Sequence, residues 1–469
     1  MSALDVVILA AGKGTRMKSS LPKVMMPIAG QPILAHIIQA AKALTPEKII
    51  VVVGPDSEAL TACFAREPIT FVEQTERKGT GHAVMQALPH LTPGSKTLVL
   101  LGDTPLITGD VLARLAESGA EVNLLSFHAP EPTGYGRVKR LPNGQVVGVV
   151  EEKLATASER AIKEVNSGVF FFQKEVLPRF LPQLTDQNAQ GEYLLPDILH
   201  PAIEAGLSVE AVITSDPEAM VGINDLVQLA AAERSFQRRQ AERLMREGVR
   251  ILDPERIDIR GEVRIAADTV IDVNVVIEGP VTIESGVVIE PHCVIRDSYL
   301  GTGSRVKAHS HLEGAHLEDR CQVGPYARLR PGAHLGPEVA IGNFVEVKAT
   351  TMGRGSKASH LSYLGDATIG ESVNIGAGTI TCNYDGVNKW QTILEDGVFV
   401  GSNTALVAPV HIERDATIGA GSTINARIEA GSLGIGRGKQ RNIPNWPRPT
   451  KQSEGEGLVI KSRSSEQSE

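Results

Sequence analysis

The chain has 469 residues, of which 42% are hydrophobic and 22% charged, and its formal net charge at pH 7 is −8. The length predicts two or three domains, and the negative charge excludes a general nucleic-acid-binding surface. The four scattered cysteines lack zinc or CxxC spacing, the start lacks signal-peptide features, and no apolar segment approaches ~20 residues. We therefore expect a cytoplasmic protein with no membrane insertion and no nucleic-acid partner.

The first half of the chain alternates between apolar segments of strand length and segments with helical periodicity. This alternation predicts a Rossmann-like α/β domain with a mostly parallel sheet covered on both faces. The predicted strands are residues 5–10, 48–53, 69–73 and 97–101, with strand-rich pieces at 121–128, 136–150 and 168–173. The predicted helices are residues 32–43, 56–65, 80–88, 109–118, 174–181 and 195–205.

A glycine-rich segment, LAAGKGTRMKSSLPK at residues 9–23, follows the first predicted strand. It lies at the carboxyl edge of the predicted sheet, where open α/β sheets bind ligands. Gly12 and Gly14 allow backbone N–H groups to approach phosphates, and positive charge comes from Lys13, Arg16 and Lys23. The segment is neither GxGxxG nor a P-loop. It predicts a phosphate-binding turn, and a plain tight turn is the alternative.

Residues 225–247 are rich in helix formers and charge. They predict a helical arm between two domains. A coiled-coil dimer helix is the alternative, but the segment is short and its heptads are poor.

The segment from Ile265 to Ile424 repeats with a period of six residues. Every sixth residue from Ile265 to Ile295 is isoleucine, and aliphatic residues keep the spacing, with short steps, to the end. A fixed period of this kind predicts a β-solenoid in which three hexads close one coil and the repeated aliphatic side chains stack inside. An ordinary all-β domain of short strands is the alternative.

The hexad pattern is interrupted most strongly at residues 381–393, TCNYDGVNKWQTI. A loop ejected from a regular coil is a candidate functional element. Upstream, the stretch 342–366 carries several cations and His360. His309 and His311 permit a different hypothesis, a metal site like that of γ-type carbonic anhydrases, but it needs a third histidine at the right coil position and gives no role to Lys348, Tyr363 or the loop.

Several motifs together resemble a known family. LAAGKGTRM followed by LPK is similar to the sugar-1-phosphate nucleotidylyltransferases. Further matches are EQTERKGTGHA (73–83), LLGDTPLI (100–107), GYGR (134–137), VEEK (150–153), NSG (166–168) and GIND (222–225). With the hexads, the chain resembles the bifunctional bacterial N-acetylglucosamine-1-phosphate uridylyltransferases/glucosamine-1-phosphate N-acetyltransferases as far as about Arg448.

The resemblance implies an enzyme of UDP-N-acetylglucosamine synthesis, which supplies peptidoglycan and lipopolysaccharide precursors. Its uridylyltransferase site would use UTP, with Arg16 and Lys23 as catalytic cations and Mg²⁺ held by Asp103 and Asn224. The implied substrate-binding residues are Leu9, Ala10, Ala11, Gly12, Lys23, Gln74, Gly79, Thr80, Leu101, Gly102, Asp103, Gly136, Glu151, Asn166 and Asn224. For Glu151, the adjacent Glu152 is the alternative.

The implied acetyltransferase site would use acetyl-CoA and His360 as general base, since an imidazole titrates near neutral pH. Glucosamine-1-phosphate would be bound by Arg330, Lys348, Tyr363 and Asn374. Acetyl-CoA would be bound by Ala377, Asn383, Tyr384, Ser402, Ala420 and Arg437. The basic segment 436–441 would supply charge for the phosphates of CoA, with a solvated tail as the alternative.

The expected organisation is a uridylyltransferase domain at 1–227, a helical linker at 228–250, a left-handed parallel β-helix at 251–449 and a disordered tail at 450–469. The resemblance also implies a homotrimer through the β-helix. Two other functions stay open: a single-activity nucleotidylyltransferase whose solenoid only assembles the oligomer, and a non-catalytic regulatory protein. The cations at Arg16 and Lys23, with Asp103 and Asn224, disfavour the regulatory protein.

Overall fold

A computed structural model describes residues 3–188 and 191–448. The expected tail at 450–469 and the last residue of the expected β-helix lie outside these ranges. No helix in the described ranges combines the length and apolarity needed to cross a membrane.

The N-terminal half forms a nine-stranded sheet. The strands are Leu4–Leu9, Lys48–Val53, Ile69–Glu73, Lys96–Leu101, Val122–His128, Arg137–Arg140, Val146–Val150, Glu164–Phe172 and Val209–Ile213. Leu4–Leu9 lies at the centre and pairs in parallel with Lys48–Val53 and Lys96–Leu101. Glu164–Phe172 runs antiparallel to each of its three neighbours, Lys96–Leu101, Val122–His128 and Arg137–Arg140. Val146–Val150 in turn runs antiparallel to Arg137–Arg140. The sheet is therefore mixed, but the prediction of a mostly parallel sheet is confirmed because seven of the nine strands run in one direction.

Helices cover both faces of this sheet because most of them bury an apolar side against it. The α-helices are Ile33–Lys42, Glu58–Cys63, Thr80–Ala87, Gly109–Glu117, Ala157–Arg160, Val176–Phe180, Leu199–Glu204 and Leu226–Arg246. Single 3₁₀ turns are Thr15–Met17, Lys23–Met25, Leu88–His90, Leu181–Gln183, Leu195–Ile198 and Glu218–Met220, and Pro27–Ile28 pairs with Gln31–Pro32. The helix expected at 195–205 thus begins as a 3₁₀ turn, at Pro196, before it becomes α-helical.

The C-terminal half is a solenoid of three sheets, and every strand pair within them is parallel. The first sheet contains Arg250–Ile251, Val270–Ile271, Val288–Ile289, Arg305–Val306, Gln322–Val323, Ala340–Asn343, Lys357–His360, Asn374–Ile375, Phe399–Val400, Thr417–Ile418 and Leu433–Gly434. The second contains Ile257–Arg260, Val275–Glu278, Val294–Arg296, His311–Glu313, Arg328–Leu329, Glu346–Lys348, Tyr363–Gly365, Ile380–Cys382, Ala405–Val407 and Thr423–Ile424. The third contains Val263–Ile265, Val281–Ile283, Tyr299–Leu300, His316–Leu317, Ala333–Leu335, Thr350–Met352, Ala367–Ile369, Thr392–Leu394 and Val410–Ile412.

The hexad residues form the solenoid core, as the period predicts. Ile265 pairs with Ile283, and Ile283 pairs with Leu300, so equivalent positions recur after three hexads. Ile283 and Leu300 are fully buried, whereas Ile265 at the open end is only partly buried. Stacking of successive coils therefore supplies the apolar core, and the alternative of an ordinary all-β domain is wrong. The left-handed winding remains a prediction.

Glycine after the hexad aliphatic is required where neighbouring coils approach closely. A Cβ atom on Gly342 would lie 1.9 Å from the carbonyl oxygen of Ser359, and one on Gly376 would lie 2.6 Å from the amide nitrogen of Ser402. No side chain fits in either position without moving the next coil. This corner joins the first sheet to the second.

The helix Leu226–Arg246 packs against both halves of the chain. Ala232 belongs to the core of the N-terminal sheet, and Leu244 belongs to the solenoid core. Between them the buried amide of Gln237 donates to the carbonyl of Ile259 at 2.9 Å and accepts from its N–H at 2.8 Å. The helical arm predicted at 225–247 is confirmed. Its buried face contacts its own chain, as a linking arm requires and a coiled-coil dimer helix does not.

Candidate functional site

Two adjoining cavities of about 300 Å³ and 500 Å³ lie at the carboxyl ends of the central strands of the N-terminal sheet. Of the expected nucleotide-binding residues, the smaller cavity is lined by Leu9, Ala10, Ala11, Gly12, Lys23, Gln74, Gly79, Thr80, Leu101, Gly102 and Asp103. The larger cavity is lined by Arg16, Gly136, Glu151, Asn166 and Asn224, among others. The fold thus brings together all the residues that the resemblance assigns to the first site, whereas Lys13, also expected to supply charge, is exposed and lines neither of these two cavities.

The glycine-rich segment forms the floor of the smaller cavity. Arg77 donates to the carbonyl of Ala11 at 2.6 Å and so fixes the turn that follows the first strand. Gly12 faces open space, because a Cβ atom there would meet nothing within 4 Å. Gly14 has a φ of +59°, and a Cβ atom on it would lie 2.6 Å from that of Lys23. The turn therefore leaves room for a ligand and allows Lys23 to approach closely.

Gly79 and Gln74 form the opposite wall. Gly79 has a φ of +102°, and a Cβ atom on it would lie 2.5 Å from the carbonyl oxygen of Tyr193. Gln74 donates to the Gly79 carbonyl at 3.2 Å and contacts His82 at 3.0 Å. The hydroxyl of Thr80 accepts from the N–H of Leu195 at 3.0 Å. These contacts, with the hydrogen bond from the Gly81 N–H to the Tyr193 carbonyl at 2.7 Å, fix the start of helix Thr80–Ala87 beside the cavity.

The charged centre of the site consists of two cations and two oxygen donors. Lys23 Nζ lies 2.6 Å from Asp103 Oδ2 and 3.4 Å from Asn224 Oδ1. Arg16 Nη2 lies 3.1 Å from Asn224 Oδ1. The second carboxylate oxygen of Asp103 is buried and has no hydrogen-bond partner within the described chain. A buried carboxylate oxygen without a partner is costly, and a bound cation would satisfy it.

Of the adjacent Glu151 and Glu152, Glu151 is the one that lines the larger cavity. Burial raises the pKa of its carboxyl group, and the nearby carboxylates of Asp197 and Glu192 raise it further. Glu152, the sequence alternative, instead accepts a hydrogen bond from the N–H of Gly134. The geometry therefore favours Glu151 as the residue near a bound sugar.

Among the lining residues that sequence reasoning missed are two charged ones, Arg77 and Glu192. Arg77 lies within the motif at 73–83 and could have been found there. Glu192 lines both cavities but has no motif around it. Its position depends on the contact of Tyr193 N–H with the Lys78 carbonyl at 2.7 Å, which only tertiary structure creates.

In the solenoid, the expected acetyl-transfer residues form a column at the corner after the first sheet. The strand register aligns Ile341, Ala358, Ile375, Val400 and Ile418 in successive coils. Two residues further along each coil, the column contains Asn343, His360, Ala377, Ser402 and Ala420. His360 therefore shares one column with three of the residues expected to bind acetyl-CoA. The Arg437 guanidinium donates to the Ala420 carbonyl at 2.5 Å and extends this corner.

The residues expected to bind glucosamine-1-phosphate lie on the outer faces of two sheets. Arg330 pairs with Glu346 at 2.8 Å, and Lys348 lies 3.7 Å from Asp366. The Tyr363 hydroxyl covers Gly365, where a Cβ atom would lie 2.5 Å from its oxygen. Asn374 is placed on the first sheet, opposite Lys357 and not His360. A single chain thus presents this group on its surface, with Asn374 set apart from the others.

The interruption predicted at 381–393 is a protruding loop between strands Ile380–Cys382 and Thr392–Leu394. Asp385 organises the loop by accepting hydrogen bonds from the Trp390 indole at 2.7 Å and from the N–H groups of Val387 and Asn388. The Trp390 bond is the main reason that the Asp385 pKa falls to about 2. At the base of the loop, buried Asn383 donates to Asp366, whereas Tyr384 is exposed.

His309 and His311, the basis of the metal alternative, have other surroundings. The His309 ring stacks between those of His292 at 4.9 Å and Tyr326 at 4.8 Å. Burial lowers the pKa of His311, and nearby Arg296 lowers it further. Residues 3–188 and 191–448 contain no cluster of three or more histidine, cysteine or acidic side chains that could hold a metal. The carbonic-anhydrase-like hypothesis therefore has no support in the described chain.

The fold and its two groups of residues define a class: a nucleotidyltransferase domain joined to a hexapeptide-repeat acyltransferase. A family model described as a MobA-like NTP transferase domain matches residues 6–161. The chain is 52% identical over 453 residues to the bifunctional protein GlmU of Marinobacter nauticus, covering 96% of this chain and 100% of the relative. It is 51% identical to that of Stutzerimonas stutzeri, over 96% and 100% of the two chains, and 52% identical to that of Azotobacter vinelandii, over 96% and 99%.

The chain belongs to the family of bifunctional GlmU proteins. It is a bifunctional enzyme with a uridylyltransferase and an acetyltransferase activity, as the sequence motifs predict. The alternatives of a single-activity enzyme and of a non-catalytic regulatory protein are thereby disfavoured.

Proposed function

We propose that the two sites act in turn on one sugar phosphate. The solenoid acetylates glucosamine-1-phosphate with acetyl-CoA, and the N-terminal cavity joins the product to UMP from UTP with release of pyrophosphate. UDP-N-acetylglucosamine would then supply peptidoglycan and lipopolysaccharide precursors. The observation that best supports the nucleotidyl half is the cluster of Lys23, Asp103 and Asn224, with its unpartnered carboxylate oxygen.

Mg²⁺ fits this cluster. Asp103 and Asn224 both lie within 3.4 Å of one ammonium nitrogen, so their oxygens are close enough to share a single cation. A carboxylate and an amide oxygen are hard donors, and Mg²⁺ commonly takes one or two protein oxygens and completes its shell with water and phosphate. When bound, it would neutralise charge on the phosphates.

In the uridylyl transfer, a phosphate oxygen of N-acetylglucosamine-1-phosphate forms a bond to the α-phosphorus of UTP while the bond to pyrophosphate breaks. This chemistry needs positioning and charge neutralisation more than proton transfer. Lys23 and Arg16, which face the Asp103–Asn224 edge, would neutralise the triphosphate. The open backbone around Gly12 would accommodate the nucleotide, and Glu151 and Asn166 would accept hydrogen bonds from sugar hydroxyls.

In the acetyl transfer, the amino nitrogen of glucosamine-1-phosphate attacks the thioester carbonyl, and coenzyme A leaves as the thiol. His360 would take the proton that the amine loses. Arg330 and Lys348 would bind the sugar phosphate, Tyr363 and Asn374 would contact the sugar, and the small side chains next to His360 in its column would leave room for the thioester. Asn383, Tyr384 and Arg437 would hold the rest of acetyl-CoA.

The two half-reactions can be separated by single substitutions. With substrates and Mg²⁺ present, the protein should release coenzyme A and pyrophosphate and form UDP-N-acetylglucosamine. His360→Ala should abolish acetyl transfer and leave uridylyl transfer intact. Full acetyl transfer by that variant would refute the role of His360, whereas no acetyl transfer by the unmodified protein would favour a purely assembling solenoid.

We further propose a cytoplasmic homotrimer through the β-helix and a division at 1–227, 228–250 and 251–449. The surface position of Arg330, Lys348 and His360 supports assembly, because a second chain could close a site that one chain leaves open. Sedimentation equilibrium should yield three times the mass of one chain. A monomer that is fully active in acetyl transfer would contradict the trimer.

A further inference from the structure

The side chain of Asn343 makes the only hydrogen bond to the His360 ring within residues 3–188 and 191–448. Asn343 Oδ1 lies 2.6 Å from His360 Nδ1. The two residues are neighbours across adjacent coils, because strand Ala340–Asn343 pairs in parallel with Lys357–His360 and aligns them directly. The contact between Asn343 and His360 is therefore set by the stacking of adjacent coils as well as by the rotamers of the two side chains.

This contact selects one tautomer of His360. An amide oxygen can only accept a hydrogen bond, so Nδ1 must carry the hydrogen. The hydrogen-free nitrogen is then Nε2, which makes no hydrogen bond within the described ranges. The next member of the column on the other side is Ala377, whose methyl group leaves that side of the ring uncrowded.

The neutral amide of Asn343 suits the proposed role of His360 as a base better than a carboxylate in the same position would. A carboxylate beside Nδ1 would stabilise the protonated imidazolium and keep His360 charged near neutral pH. An amide oxygen orients the ring and holds the proton on Nδ1 without adding charge. We propose that Asn343 is a positioning residue for acetyl transfer, which holds His360 as the Nδ1–H tautomer with Nε2 directed to the amine. The proposal rests on the assignment of His360 as general base.

The test compares acetyl transfer by Asn343→Leu and Asn343→Asp with the unmodified full-length protein. Leucine has a similar size but no acceptor, so we expect kcat to fall about 10- to 100-fold with an unchanged KM for acetyl-CoA. Aspartate restores the acceptor and stabilises the imidazolium. Asn343→Asp should therefore recover activity at alkaline pH, with its pH–activity profile displaced to higher pH.

Two further variants keep the outcomes distinct. Gln322→Leu removes an exposed amide from the same sheet one coil earlier and should leave both activities unchanged. His360→Ala tests the proposed base itself, and acetyl transfer by that variant would refute the assignment of His360 as general base and not merely the role of Asn343.

If His360→Ala is inactive in acetyl transfer while Asn343→Leu keeps full kcat, Asn343 has no positioning role. Asn343→Leu is set aside if it fails to fold, as judged by loss of uridylyl transfer and altered elution in gel filtration. In that case the pH–activity profile of Asn343→Asp tests whether Asn343 positions His360. An undisplaced profile would overturn the proposal, because a purely structural asparagine would not couple to the protonation of His360.

Discussion

At the scale of single residues, Asp103 combines the features that make the first site reactive. One of its oxygens binds Lys23, and the other is buried with no hydrogen-bond partner among residues 3–188 and 191–448. It follows strand Lys96–Leu101, whose four central residues are buried. The Ile223 N–H donates to the Asp103 backbone carbonyl at 2.9 Å, which brings Asn224 alongside. The side chain is therefore placed by backbone contacts that do not depend on a ligand.

Asp103→Asn should reduce uridylyl transfer by on the order of 100-fold or more, because the cluster loses its only negative charge for a cation. Pyrophosphate release measures this effect. Acetyl transfer should be unchanged. Asp110→Asn, which alters an exposed carboxylate in the following helix, serves as the matched control. Equal loss in both variants would indicate a general effect on folding.

Glu151 should make the stability of the N-terminal half depend on pH. Burial raises the pKa of Glu151, with contributions from Asp197 and Glu192, so its ionised form is disfavoured in the folded state. Ionised Glu151 therefore destabilises the folded state at pH values above its pKa in that state. The destabilisation disappears as the pH falls through this pKa and the carboxyl group of Glu151 becomes protonated. Glu151→Gln should therefore raise the thermal midpoint at pH 7 and have little effect in acid.

Thermal unfolding followed at both pH values measures the Glu151 effect, and Glu131→Gln is the control because Glu131 is exposed. A stabilisation by Glu151→Gln that is the same at both pH values would contradict the interpretation. The same substitution should weaken binding of the sugar phosphate, since a neutral amide accepts hydrogen bonds less strongly than a carboxylate.

At the scale of elements, the loop at 383–391 depends on one side chain. The bonds from Trp390, Val387 and Asn388 converge on Asp385. Because these bonds lower the pKa of Asp385 to about 2, its carboxylate supports the loop above the ordinary range of an aspartate pKa. That support is lost only as pH falls towards 2, well below any assay of acetyl transfer.

Asp385→Ala should disorder the loop and raise the KM for acetyl-CoA about tenfold, because three hydrogen bonds to a charged acceptor are lost together. Trp390→Phe removes one of the three bonds and should have a smaller effect. Steady-state kinetics of acetyl transfer measure both. An unchanged KM in Asp385→Ala would mean that this loop does not contribute to the cofactor site.

At the scale of the whole molecule, the helix Leu226–Arg246 connects two separate cores. Ala232 packs in the first core, and Ala241 and Leu244 pack in the second. The N–H of Gly261 also donates to the carbonyl of Ala29 at 3.0 Å, so the halves touch beyond the helix. The end of the helix covers the first coil of the solenoid, which would otherwise expose its apolar interior.

Because the end of this helix covers the first coil, fragments with and without the helix should differ in thermal stability. A fragment of residues 226–469 should keep acetyl transfer and melt at a higher temperature than one of residues 251–469, which lacks the cover. In the longer fragment, Leu244→Ala should cost about 2–5 kcal/mol, the range for truncating a buried leucine. Circular dichroism during heating measures both effects, and identical melting of the two fragments would refute the covering role.

The period of six, the strand–helix alternation and the glycine-rich turn are local patterns, so the sequence alone determined the fold class and the helical arm, and its motifs predicted both groups of site residues. Contacts between segments that are far apart in the sequence produce no periodic pattern in it. Only the tertiary structure therefore decided that Glu151 and not Glu152 faces the cavity, and that Glu192 joins it. The same holds for Asn343 beside His360, because residues seventeen positions apart meet only when one coil stacks on the next.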